Sequence, residues 1–136
     1  MLLSAKQIAN RFRQRVKSAI EGRRTTVYNI SDTSEELTVN WLTIENETGE
    51  DRIKWNDVVS VYVFKRDLFA VDCICILFEL SDGTSVEINE EMQGWGNLVD
   101  KLPQRLPDCK NFADWFETVA FPAFEINVNQ IYQRKN

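Results

Sequence analysis

Two apolar, β-branched runs lie almost back to back in this chain: Val58-Val59-Ser60-Val61-Tyr62-Val63-Phe64, then Val71 to Leu80, with Lys65-Arg66-Asp67-Leu68-Phe69-Ala70 between them. Branching at Cβ and aromatic rings suit a pleated, buried surface, and each run is too short to be better read as a buried helix. Both read as strands. In the second, Ile74, Ile76, Phe78 and Leu80 alternate with Cys73, Cys75, Leu77 and Glu79, so both faces are largely apolar and the strand requires cover on two sides. Ser81-Asp82-Gly83-Thr84 then offers a turn, with Gly83 free to take positive φ in a type I turn plus bulge. The expected register places Leu80 opposite Val86, Phe78 opposite Ile88 and Glu79 opposite Glu87.

With 136 residues and 43% hydrophobic content, the chain reads as one domain with a core of its own. No apolar stretch approaches the roughly 20 residues of a membrane span. Met1-Leu2-Leu3 gives way at once to polar residues, so the expectation is a cytoplasmic protein without a signal sequence. Cys73, Cys75 and Cys109 fit that compartment as reduced, buried thiols, the first two sharing a strand face but poorly placed to bridge each other.

The net charge of −5 conceals an asymmetry. Up to Arg24 the chain is basic, carrying Lys6, Arg11, Arg13, Arg15, Lys17, Arg23 and Arg24 against Glu21 alone, and the remainder is strongly acidic. Ser4 to Glu21 has apolar residues at helical spacing and Gly22 as a stop, which predicts an amphipathic helix. Its surface residues Arg11, Arg13, Arg15 and Lys17 either dock on something acidic outside or clamp onto the acidic body. The second reading is favoured because the chain is acidic overall and Phe12, the one aromatic among the basic residues, belongs to the apolar face.

Strand patterns follow at Thr25 to Ile30 and Leu37 to Ile44, separated by the polar turn Ser31 to Glu36. An acidic exposed loop, Glu45 to Asp51, precedes a short strand, Arg52 to Trp55. Beyond the hairpin, Glu90-Glu91 lead into Met92, Trp95, Leu98, Val99 and Leu102 at helical spacing. The glutamates favour the helix dipole, and Pro103 and Pro107 are expected to end the helix. Asn111 caps a second helix with Phe112, Trp115, Phe116 and Val119 on one face. Phe124 to Asn129 alternates as an edge strand before a polar tail. The expected fold is α+β over residues 1–136: basic helix at 1–24, strand meander at 25–89, two helices at 90–120, strand and tail at 121–136. The sheet is read as mostly antiparallel, with about six or seven short strands.

The chain has no histidine. That removes Ser-His-Asp and Cys-His triads and His-ligated zinc, and the three cysteines cannot build a four-cysteine site. Neither G-x-G-x-x-G nor G-x-x-x-x-G-K-[ST] occurs. No cofactor or metal is expected. Carboxylates remain: Glu79, Glu87, Glu90 and Glu91 could serve hydrolysis or hold a cation, or be a solvated face and a helix start, and this hairpin face, with Trp95, Asp67 and Phe69, is where a partner is expected to dock. Asp67 and Asp72 divide likewise between cation binding and satisfying Lys65, Arg66 and turn amides. Phe69 and Trp95, if exposed among acids, would form a protein-binding hot spot.

The segment Ile53-Lys54-Trp55-Asn56-Asp57-Val58-Val59-Ser60-Val61 resembles the strand, turn, strand passage of pleckstrin-homology-like domains, which implies a meander of short strands closed by a helix. From about Ile53 onward, including Lys65 to Asp72, Glu90 to Trp95 and Phe121-Pro122-Ala123-Phe124, the chain is similar to a family of short bacterial cytosolic proteins without an assigned activity. Its size, acidity and lack of histidine also parallel the immunity proteins of bacterial toxin systems. The expectation is a non-catalytic protein-binding module, an immunity-type inhibitor of a basic partner. A carboxylate hydrolase or cation-binding protein built on the 79–91 hairpin is the alternative. Binding of nucleic acid or anionic lipid through the N-terminal helix is a third.

Overall fold

The structure, a computed structural model, describes residues 25–43, 46–68, 71–120 and 128–135. Within them the elements are β1 (Thr25–Asp32), β2 (Glu36–Thr43), β3 (Thr48–Lys54), a single 3-10 turn (Trp55–Asp57), β4 (Val58–Leu68), β5 (Val71–Leu80), β6 (Ser85–Asn89), α1 (Trp95–Arg105), α2 (Phe112–Ala120) and β7 (Asn129–Gln133). The α+β class and antiparallel pairing stand as expected, but the strands form two sheets, β1-β2-β3 and β6-β5-β4-β7. The basic helix expected over Ser4 to Glu21, with Arg11, Arg13, Arg15 and Lys17, lies outside the described residues, as does Phe69.

The change of sheet occurs at Trp55. Its backbone N–H donates to the Glu35 carbonyl at 3.1 Å and its indole Nε1–H to the Thr33 carbonyl at 2.9 Å. Both partners belong to the β1–β2 turn, where the Thr33 hydroxyl accepts from the N–H groups of Glu35 and Glu36 at 3.2 and 3.1 Å. The indole meets the β5 ring of Phe78 edge-on, centroids 6.2 Å apart. One buried tryptophan therefore ties the turn of the first sheet to the centre of the second, and its edge-to-face pair adds about 0.5–1.5 kcal/mol beyond area burial.

The principal core lies between the sheets and under the helices. Leu37, Val39 and Ile53 come from the first sheet, Val61, Val63, Ile76, Phe78 and Ile88 from the second, and Leu98, Leu102, Trp115 and Val119 from the helices. Each such side chain contributes about 1.5–3 kcal/mol by leaving water. The alternate face of β4 and β5 carries its own buried cluster of Tyr62, Phe64, Cys73, Cys75 and Leu77, against which Val128 packs. The two-sided cover expected of β5 is thus present.

Several boundaries differ from the sequence expectation, each for a local reason. The segment Lys65 to Leu68 continues β4, pairing Lys65 with Ile74 and Asp67 with Asp72, so the connector shrinks to two residues. Lys65 tolerates the core side of the strand because its Nζ donates to the carbonyl of Ala120 at 2.9 Å, the last residue of α2, where the helix presents unpaired carbonyls. β3 starts at Thr48, inside the expected acidic loop, because Gly49, Glu50 and Asp51 pair with Trp41, Asn40 and Val39. The Trp41 ring lies across Gly49, whose missing Cβ would fall 1.8 Å from Cζ2, so the aromatic supplies the packing that the glycine lacks.

α1 begins at Trp95 rather than beside Glu90-Glu91, because Gly94 enters at φ 98° and turns the chain there. The same glycine comes so close to β1 that a Cβ would sit 2.2 Å from the Ile30 carbonyl oxygen, and Ile30 N–H donates to the Gln93 carbonyl at 2.8 Å. Pro103 does not end the helix. It lies inside α1 near the C-terminal end, and the Leu106 N–H still closes onto the Leu102 carbonyl at 2.8 Å. The final strand is Asn129–Gln133, which begins at the last residue of the expected edge strand and runs into the expected tail, while residues 124–127 of that expected strand lie outside the described residues. It pairs antiparallel with β4 and buries Ile131.

Candidate functional site

The hairpin carboxylates occupy positions set by the β5–β6 turn. Gly83, at φ 88°, donates its N–H to the Leu80 carbonyl at 3.0 Å, and Leu80 N–H donates to the Thr84 carbonyl at 2.9 Å. Only Ser81, Asp82 and Gly83 lie in the loop, so the ladder closes two residues earlier than expected. Phe78 faces Val86, Ile76 faces Ile88, Leu77 faces Glu87 and Glu79 faces Ser85. Glu79 and Glu87 share a face as diagonal neighbours, about 7–8 Å apart by ordinary sheet geometry, rather than opposing each other. Asp82 braces the turn: its Oδ1 accepts from the Thr84 hydroxyl at 2.6 Å and the Thr84 N–H at 2.9 Å, and these bonds hold its carboxyl below the ordinary 3.8.

Glu90 extends the hairpin ladder. Its N–H donates to the Ile74 carbonyl at 3.0 Å, and its Oε1 accepts the Ile74 N–H at 3.1 Å, a carboxylate standing where a main-chain carbonyl usually would. Glu91 is exposed on the following turn, its N–H bonded to Asn89 Oδ1 at 2.9 Å. Trp95 is half-buried and packs against the principal core. Asp67 is placed by its strand position, opposite Asp72. The structure therefore brings Glu79 and Glu87 onto one face and Glu90 to the β5 backbone, while Trp95 turns to the core. Phe112 is the large apolar side chain that is exposed among the described residues, at 37%, stacked on Phe116 with centroids 4.7 Å apart.

The cysteines are reduced and buried. A hydrogen bond with the Cys75 side chain lowers the Cys73 thiol below its ordinary value, against burial and the charges of Glu90 and Glu91, which raise it. Burial alone pushes Cys109 up to about 12. Among the described residues, no group of three or more histidine, cysteine, aspartate or glutamate side chains stands together as a metal site. No helix among them is long and apolar enough to cross a membrane.

A concave feature with mixed chemistry lies on the first sheet, a depression of about 380 Å³ lined by Asn29, Asn40, Leu42, Thr48, Gly49 and Glu50, with Trp41 behind Gly49. The register explains the grouping. Asn29 lies opposite Asn40, Asn40 opposite Glu50, and Leu42 opposite Thr48, so alternate positions of three strands converge on one face. Asn40 Nδ2 donates to Asn29 Oδ1 at 3.1 Å. Arg52, two residues along β3, bonds Glu50 Oε1 through Nε and reaches Glu36 Oε1 at 3.5 Å. Thr48 to Glu50 belong to the segment expected as an acidic exposed loop, but their grouping with Asn29, Asn40 and Leu42 is not evident from sequence. Their signal, polar residues at alternate positions of three neighbouring segments, becomes visible only once the pairing is known.

Comparison with protein-family models, curated proteins and solved structures returns no match for this chain.

Proposed function

We propose that the protein is a non-catalytic protein-binding module, an immunity-type inhibitor that docks on a basic partner. The observation that carries this reading is the acidic end of the first sheet. Glu47, Thr48 and Glu50 are exposed on edge strand β3 and the bend before it, beside a concave face. A chain of net charge −5 presenting carboxylates on such an edge steers a cationic surface toward it, which raises association rates and makes them salt-sensitive. For the competing hydrolase reading, Glu90 bonds the Ile74 N–H of β5, which leaves Glu79 and Glu87 as diagonal neighbours on one face.

The test is affinity capture from the source cell with the wild-type chain and with a Glu47→Lys/Glu50→Lys double variant, at low and high salt. The reading expects a basic protein retained by the wild type at low salt, released at high salt and not retained by the variant. Retention of the same protein by both forms, or of none by either, counts against it.

A further inference from the structure

The geometry points to the depression on the first sheet as the seat of a lysine or arginine side chain of that basic partner, an inference that rests on the protein-binding reading above. Asn40 spends its amide nitrogen on Asn29 Oδ1. Glu50 lies directly opposite Asn40 on β3, and both residues line the depression. Asn40 and Glu50, residues with amide and carboxylate acceptors, thus share the lining of one depression with Thr48. Adjacent acceptors are satisfied by a donor placed between them. A guanidinium offers five N–H donors in a plane and an ammonium three, each with the charge that Glu50 complements.

The remaining lining fits the rest of such a side chain. Leu42, half-buried beside Thr48, gives an apolar surface for an aliphatic stem. A volume of about 380 Å³ lies in the lower part of the range of small-ligand clefts, about 300–1,000 Å³. Arg52 already supplies an internal precedent, its guanidinium held between Glu50 and Glu36 on this sheet. It bonds Glu50 through Oε1, and a carboxylate has roughly four lone-pair sites across its two oxygens, so one resident cation does not exhaust it. Glu50 and the net negative charge of the chain favour a cation over an anion as the occupant.

The test is an NMR titration of the isotope-labelled full chain with Nα-acetyl-arginine amide. The citrulline analogue, equal in shape and without charge, is the control. The side-chain amides of Asn29 and Asn40 and the backbone amide of Gly49 are expected to shift together and to saturate with a dissociation constant on the order of 10 mM. Citrulline should bind at least about fivefold more weakly. Glu50→Gln should weaken arginine about fivefold, and Arg52→Gln, by removing the resident competitor, should tighten it. Spectra unchanged away from this face establish that both variants fold. Shifts that fail to saturate by about 100 mM, that citrulline reproduces, or that Glu50→Gln leaves unaltered overturn the seat. If the titration fails while salt-sensitive capture of a basic protein persists, the seat alone falls. If no such protein is captured, the protein-binding reading falls with it.

Discussion

Arg105, in the last turn of α1, donates from Nε to Oδ2 of Asp32 at the end of β1 over 2.9 Å, with the aspartate side chain only 7% exposed and the arginine 20%. The two residues are 73 apart in sequence. Their bond fixes the C-terminal end of the helix to the first sheet, while Gly94, just before the same helix, fixes its start against Ile30 of the same strand. Helix and strand are therefore held at two points.

Removing one partner of this pair leaves a charge in a partly buried place. Arg105→Ala should destabilise the fold by about 2–3 kcal/mol, somewhat below the cost of breaking a fully buried pair because the guanidinium keeps some water. Asp32→Asn, which retains an acceptor oxygen, should cost about half as much. Urea unfolding of the two variants checks the order. Equal and negligible losses would show that the pair is a surface contact.

Two glycines beside one tryptophan give a contrast at the start of a single helix. Gly94→Ala meets both the positive φ and the Ile30 carbonyl, so a loss of about 2–4 kcal/mol is expected. A methyl group at Gly96, inside α1, would meet nothing within 4 Å, so Gly96→Ala should stabilise by about 0.5–1 kcal/mol. Thermal unfolding of both variants reads the two signs directly.

The buried amine of Lys65 connects the second sheet to the end of α2 through the Ala120 carbonyl. Lys65→Met keeps the length and apolar stem but removes the donor. A loss of about 1–3 kcal/mol is expected. Amide exchange should report it most strongly in the last turn of α2, whereas uniform exchange changes would indicate that the amine does not cap the helix.

Cys109 predicts a pH dependence. Its thiol is held neutral by burial, with the folded value raised from an ordinary 9.0 to about 12. The unfolded chain thus releases this proton first as pH rises. The group's contribution is fully present below pH 9 and is lost progressively toward about 12. The slope approaches about 1.4 kcal/mol per pH unit within that window. Cys109→Ala should flatten this part of the stability profile, whatever its cost at neutral pH. A profile of unchanged slope would show that the thiol is not held neutral by the fold.

Much of this architecture is legible in the residues, and the failures are instructive. The inward face Ile74, Ile76, Phe78 and Ile88 follows from strict alternation, since a shift of two residues preserves which face is buried. The same tolerance concealed the register: alternation cannot distinguish Phe78 opposite Ile88 from Phe78 opposite Val86. The number of loop residues decides, and that depends on Gly83 taking positive φ at the third loop position. Lys65 in a buried strand and Gly49 in an edge strand contradict local preference because distant partners, the α2 terminus and the Trp41 ring, satisfy them. The depression on the first sheet was hidden for the same reason. Asn29, Asn40 and Glu50 acquire meaning as neighbours only across three strands.

The most direct measurement of the central claim is the association rate of the captured basic protein as a function of ionic strength, for the wild-type chain and for Glu50→Lys. The rate should fall steeply with salt for the wild type and be both slower and less salt-dependent for the variant. Identical, salt-insensitive rates for the two forms would contradict the claim.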